Sequence, residues 1–174
     1  SMFPSAYSPP GLLAGATRLR EATAAVPCNV NNTTGSKTVF TVTGSVLIYA
    51  MWGEITTVIS SNHTTGHLRL NDQTATIDIT EAATGIALSA LLAGTIIYKE
   101  SLTAVALQKK DNAVGAFEEP ATAGIPSMSP FVVTKKSGAA TTIDYRYATT
   151  NTPSSGVITF HALWIPLSGD GNLA

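Results

Sequence analysis

From Lys37 onward, apolar and polar positions alternate with a period of two over most of the chain, the pattern of strands with one buried and one wet face. The clearest stretch is Thr141–Thr149, where Ile143, Tyr145 and Tyr147 alternate with Thr142, Asp144 and Arg146. Thr38–Thr43 (TVFTVT) likewise sets Phe40 and Val42 against Thr41 and Thr43. Two stretches depart from this by being apolar on both faces: Val46–Trp52 (VLIYAMW) and Val157–Ile165 (VITFHALWI). Strands of that kind need cover on both sides. In a helix-poor chain, other copies of the same chain are one source of that cover.

The same reading predicts strands over Glu54–Ser60, His67–Leu70, Ala75–Ile79, Thr95–Lys99, Ser101–Gln108 and Phe131–Lys135. Asn71–Gln73 is a hairpin turn, and Gly44 and Gly53 are breaks. Glu81–Ala93 reads as a loop with at most one helical turn, because Gly85 weakens the helical spacing of Ala82, Ile86, Ala90 and Ala93. Lys109–Pro130 is rich in Gly and Pro and reads as a long loop, a length that usually carries a role. Roughly nine or ten short strands point to an all-β fold, a β-sandwich of the jelly-roll kind.

The first residues differ in texture. Pro4, Pro9 and Pro10 in Ser1–Gly11 forbid a central strand and favour an extended arm, which carries Phe3 and Tyr7. Leu12, Ala16, Leu19, Thr23 and Val26 then fall on a rough helical stripe, to be read as a short helix or as an arm lying along a neighbour. The expected organisation is an N-terminal arm and hinge over 1–36, a sandwich domain over 37–167 and a loose tail over 168–174.

Charged residues make up only 12% of the 174 residues, about half the usual share. Either neighbours cover much of the surface, or Thr, Ser and Asn solvate it without charge. The net charge of −1 leaves no basic field for nucleic acid. The few basic clusters, Arg18/Arg20, Lys109/Lys110 and Lys135/Lys136, are pairs rather than stripes. Cys28 is the single cysteine, so neither an intrachain disulfide nor a cysteine metal site is available. The longest apolar segment, Ile86–Tyr98, is interrupted by Gly94 and too short to span a bilayer, so a soluble protein with no membrane partner is expected.

Catalytic patterns are missing. His63 and His67 have the four-residue spacing of a helical metal pair, but Thr64, Thr65 and Gly66 read as a turn. His161 lies within an apolar strand and reads as a hydrogen-bonded interior or interface residue. There is no G-x-S-x-G. Gly35-Ser36-Lys37-Thr38 lacks the glycine directly before lysine that a phosphate loop requires. Glu118 and Glu119 are adjacent and point apart on extended backbone, unlike a glycosidase pair. No catalytic residue, metal or cofactor is expected.

The run Thr38–Ile59 (TVFTVTGSVLIYAMWGEITTVI) resembles structural proteins of tailed bacteriophages, in which a strand of this type leads through glycine into an apolar strand and then a "GeVtt" strand. The proline-rich start, the Thr/Ala/Val-rich β region and the low charge are similar to capsid decoration, or cement, proteins. The resemblance implies a jelly-roll-like homotrimer in the virion, assembled in the host cytoplasm. Its partners would be itself and the major capsid protein or another virion protein, and its work mechanical. On this reading Val46, Ile48, Trp52, Phe160 and Trp164 form the subunit contact. Phe3, Tyr7, Leu12, Leu13, Arg18 and Arg20 belong to a capsid-binding arm. Two other readings stay open: a carbohydrate- or receptor-binding module of a tail or fibre, using exposed Tyr or Trp, and a cupin-like metalloenzyme using His63 and His67.

Overall fold

The computed structural model describes residues 18–29, 34–60, 63–82, 85–99, 105–110, 130–149 and 155–174. They form a β-sandwich of two antiparallel sheets. The strands are β1 (Arg20–Pro27), β2 (Thr34–Thr43), β3 (Ser45–Thr57), β4 (His63–Asn71), β5 (Thr76–Asp78) and β6 (Ile96–Tyr98). They continue with β7 (Gln108–Lys110), β8 (Phe131–Thr134), β9 (Thr141–Thr149), β10 (Val157–Pro166) and β11 (Asn172–Leu173). The first sheet runs β1-β10-β3-β6-β7, with β8 sharing the edge of β3 with β6. The second runs β11-β2-β9-β4-β5. The chain therefore changes sheet from β1 to β2, β2 to β3, β3 to β4, β5 to β6 and at each step from β8 through β11.

Alternation fills the space between the sheets. Val46, Ile48, Met51 and Ile55 from β3 meet Ile158, Phe160, Ala162 and Trp164 from β10. Opposite them lie Phe40 and Val42 from β2 and Ile143, Tyr145 and Tyr147 from β9. Tyr145 and Phe160 touch across the sandwich, ring centroids 5.3 Å apart. Gly53 does not end its strand; β3 passes straight through it. A Cβ there would lie 2.8 Å from Ile158 and 3.1 Å from Phe160, so glycine lets those side chains press on the backbone. The true break is Gly44, whose φ of +55° turns β2 into β3. The hairpin expected around Asn71–Gln73 forms with its turn at Asp72–Ala75: Arg69, Leu70 and Asn71 pair with Asp78, Ile77 and Thr76. The Asp72 carboxylate accepts from the backbone N–H of Thr74 and Ala75, which closes the turn.

Several expectations fail. The stripe over 11–26 is not helical from Arg20 onward: Arg20–Pro27 is a strand paired with all of Val157–Trp164. Ala22 and Val26 point inward in it, so the sandwich takes in residues assigned to the arm. The C-terminal residues are not loose. Asn172 and Leu173 pair with Thr43 and Val42, Leu173 is buried, and Ala174 and Thr41 exchange backbone hydrogen bonds. The Ser101–Gln108 strand appears instead as Gln108–Lys110, residues 101–104 lying outside the described residues. Most of the Lys109–Pro130 loop, residues 111–129, lies outside them too.

Cys28 is fully buried beside the end of β1, and burial pushes its thiol pKa up to about 12. A thiol-specific reagent at neutral pH is expected to leave the folded protein unlabelled and to label one thiol per chain in denaturant. Rapid labelling of folded protein would mean that this end of β1 opens.

Candidate interaction surface

The outer faces of the two sheets differ in kind. On the second sheet, Asp144 sits at the centre of a polar carpet, although it is almost fully buried. Its carboxylate accepts hydrogen bonds from Thr142 Oγ1 (2.7 Å), Asn71 Nδ2 (3.0 Å) and Ser36 Oγ (3.3 Å). Arg69 donates to Ser36 Oγ at 3.1 Å. His67 approaches Asp78 on the same side at 4.0 Å. A charge so provided with donors suits a water-facing surface.

On the first sheet the outward residues are apolar at one end. Registers place Ile165 beside Leu47, and Leu47 beside Val132. Leu19, one residue before the Arg20–Trp164 pair, continues this row on the side of β1. The row thus crosses β10, β3 and β8, with Leu19 just ahead of β1. Val132 is 59% exposed and Leu19 46%. A bulge between Leu163 and Trp164 leaves Tyr49 as the extra residue of β3, turned outward and 40% exposed next to the row. Ile165 is buried but stands apart from the core cluster. Leu167 extends the patch beyond Pro166.

A second outward row carries Thr23, His161 and Trp52 on neighbouring strands. The Trp52 and His161 rings stack at 5.2 Å. His161 Nδ1 lies 3.2 Å from the Glu21 carboxylate and 3.3 Å from Thr23 Oγ1.

Four of the five residues expected at a subunit contact do not lie on this face. Val46, Ile48, Phe160 and Trp164 are turned into the chain's own core, each at most 3% exposed, so a neighbour cannot reach them. Only Trp52 of that group faces outward. The residues that do face out from the same strands are Leu47, Tyr49, Leu163 and Ile165. The expected arm residues Phe3, Tyr7, Leu12 and Leu13 lie outside the described residues. Arg18 is exposed. Arg20 belongs to the sandwich: its guanidinium covers the Trp164 ring at 5.2 Å from the centroid, closing the end of the core.

The histidine pair is split by a bulge between Thr64 and His67. His63 enters the core, stacked on Tyr147 at 4.7 Å, with Nε2 3.2 Å from the Tyr145 hydroxyl. His67 stays on the outer side, so the two cannot share an ion. Among the described residues no group of three or more His, Cys, Asp or Glu is placed to hold a metal. The described residues contain no helix, and so none long and apolar enough to cross a membrane. The chain matches no protein-family model, no curated protein and no solved structure.

Proposed function

We propose that this protein is a structural component of a virus particle, a decoration or cement protein of the tailed-phage type, acting as a homo-oligomer bound to the shell. The observation that carries this reading is the apolar end of the first sheet's outer face, where Leu19, Tyr49, Val132 and Leu167 are exposed. Exposed apolar surface of this kind, beside a polar opposite face, marks a contact surface. The strand order supports the finer fold class. The quartets β1-β10-β3-β6 and β2-β9-β4-β5, filled alternately along the chain, have the layout of a jelly roll. The low charge fits a molecule whose surface is largely covered by neighbours.

The test is the mass of the full chain in solution, followed by its recovery with purified particles. An oligomer that sediments with shells is the expected result. A single-copy species at micromolar concentration that never associates with particles would end the reading.

A second reading has one observation in its favour. Trp52, His161 and Glu21 combine an aromatic face with a carboxylate on an open sheet, the elements of a saccharide-binding site. Binding on a glycan array that is lost in Trp52→Ala would favour that module over the mechanical role.

A further inference from the structure

We propose that two copies of this chain pair through the free edge of β1, antiparallel about a two-fold axis at Thr23, so that their first sheets run on as one. This pairing deepens the reading of the protein as a homo-oligomer and rests on it. An open strand edge is a template for another chain, and folded proteins blunt theirs by shortness, bulges, lysine or a covering loop. Here the edge strands β5, β7, β8 and β11 are two to four residues long. The parts of β2 and β4 that extend past β11 and β5 each carry a bulge, and β2 also carries Lys37. β1 has none of these devices. It is eight residues long, its register with β10 runs unbroken from Arg20 to Pro27, and Ala22–Val26 contains neither charge nor proline.

The backbone of that edge is unpaired. Cys28 N–H donates to the Gly156 carbonyl at 3.0 Å, one position past the Pro27–Val157 pair. Backbone groups alternate sides along a strand, so Ala22, Ala24 and Val26 also face β10. Glu21, Thr23 and Ala25 turn their N–H and C=O away from it. Among the described residues none bonds to those backbone groups. The side chains of the same three residues are exposed.

A foreign strand would ask nothing particular of this sequence, whereas self-pairing does. A two-fold sets one residue opposite its own copy. Centred on Glu21 it would oppose two carboxylates, and centred on Ala22 it would leave them on one diagonal. Centred on Ala24 or Ala25 it would set Pro27, which has no N–H, against Glu21 or Thr23 inside the ladder. Thr23 avoids all of these. It then faces its own copy, a favourable cross-strand pair, while Glu21 faces Ala25, Ala22 faces Ala24 and Arg20 faces Val26. Glu21, Thr23 and Ala25 exchange both backbone bonds with their opposites, and such main-chain bonds supply the affinity of strand addition. Pro27 falls at the end of the ladder opposite Leu19, where two exposed apolar side chains cover each other.

The experiment uses the full chain with one added cysteine, since Cys28 is fully buried and silent. Opposed residues of a hydrogen-bonded pair have Cα atoms about 5.5 Å apart, within disulfide reach. Thr23→Cys copies are therefore expected to oxidise to a linked pair, and much faster than Ile77→Cys copies, whose cysteine is exposed on the short strand β5. The native chain is expected to run as two copies in solution. Ala25→Pro removes only an N–H that faces away from β10, so the chain keeps its own ladder; it is expected to run as one copy with a folded spectrum. Should that variant fail to fold, the Thr23→Cys result decides alone. Four results overturn the proposal: Thr23→Cys copies that link no faster than Ile77→Cys copies, linkage of Thr23→Cys only to another particle protein, a folded Ala25→Pro chain of native mass, or a native mass of three copies. In each of these the native protein can remain oligomeric, and the self-assembly reading then survives. A native chain that is single-copy throughout removes both.

Discussion

Phe160→Ala is expected to lower the unfolding free energy by about 3–5 kcal/mol, the usual cost of removing a buried phenylalanine with incomplete collapse of the cavity. Phe160 stands at the midpoint of the core, against Tyr145 of the opposite sheet and above the bare backbone of Gly53. Neither neighbour can follow the missing ring: Tyr145 is held by its hydroxyl contact to His63, and glycine has no side chain to extend. Against a total of roughly 5–15 kcal/mol for a domain, the loss is large. Urea unfolding monitored by circular dichroism measures it. The experiment also separates two assignments of this residue. As a core residue, Phe160 lowers the midpoint for the chain's own unfolding and leaves the mass of the folded species unchanged. At a subunit contact it would instead dissociate a folded assembly at low concentration, with little change in the stability of each subunit.

Acidification is expected to destabilise the fold between pH 6.5 and 4, through His63. Burial holds its pKa down at about 4, against an ordinary value of 6.5. Its Nδ1 is buried with no hydrogen-bond partner, and its rings of contact are Tyr145 and Tyr147. No carboxylate stands among those contacts to stabilise the imidazolium. The unfolded chain therefore takes up the proton first, and stability rises with pH across this window. The contribution is complete above pH 6.5 and is lost as the pH falls through 4. Its size is about 3 kcal/mol, taken at 1.36 kcal/mol per unit of displacement. Asp72 also loses a contribution in acid, because the backbone N–H groups of Ala75 and Thr74 and side-chain donors hold its carboxyl below the ordinary carboxylate value of 3.8; that loss begins only below this pH. The two windows are thus distinct. Urea midpoints measured from pH 7.5 to 4 should fall for the native sequence and stay nearly level for His63→Phe, which keeps the aromatic stack and removes the titration. A native profile as flat as that of the variant would show that water or a rearranged loop reaches His63.

Much of the architecture was legible. Thr141–Thr149 could be read because one face of β9 fills the core while the other carries Thr142 and Asp144 in a polar network, with Arg146 on the same face. The two doubly apolar strands were also plain, but which half of each faces inward was not. A shift of one residue exchanges the faces of a strand, and β3 and β10 are out of step at Leu163/Trp164. No local pattern announces that bulge, so the alternation alone does not tell that Val46, Ile48, Phe160 and Trp164 turn into the core while Leu47 and Tyr49 turn out. β1 was obscured for another reason. Its inward positions Ala22, Ala24 and Val26 are small, and Leu19, Thr23 and Val26 also fit a helical stripe. The outer row itself draws on separate segments near residues 19, 47, 132 and 165, so it exists only once the register is known.

The interleaving of early and late strands bears on how the molecule is made. β1 finds its partner only in β10, β2 in β9 and β11, and β3 in β6, β8 and β10. A nascent chain halted near residue 100 would hold β1 and β2 without a single permanent neighbour. Hairpin β4–β5 is the one pairing completed within a few residues. Closure must wait until residues 157–166 have left the ribosome, and such long-range pairing is slow. Until then the greasy strands near residue 50 are open to the cell's chaperones, and a prematurely truncated product would be sticky rather than merely inactive.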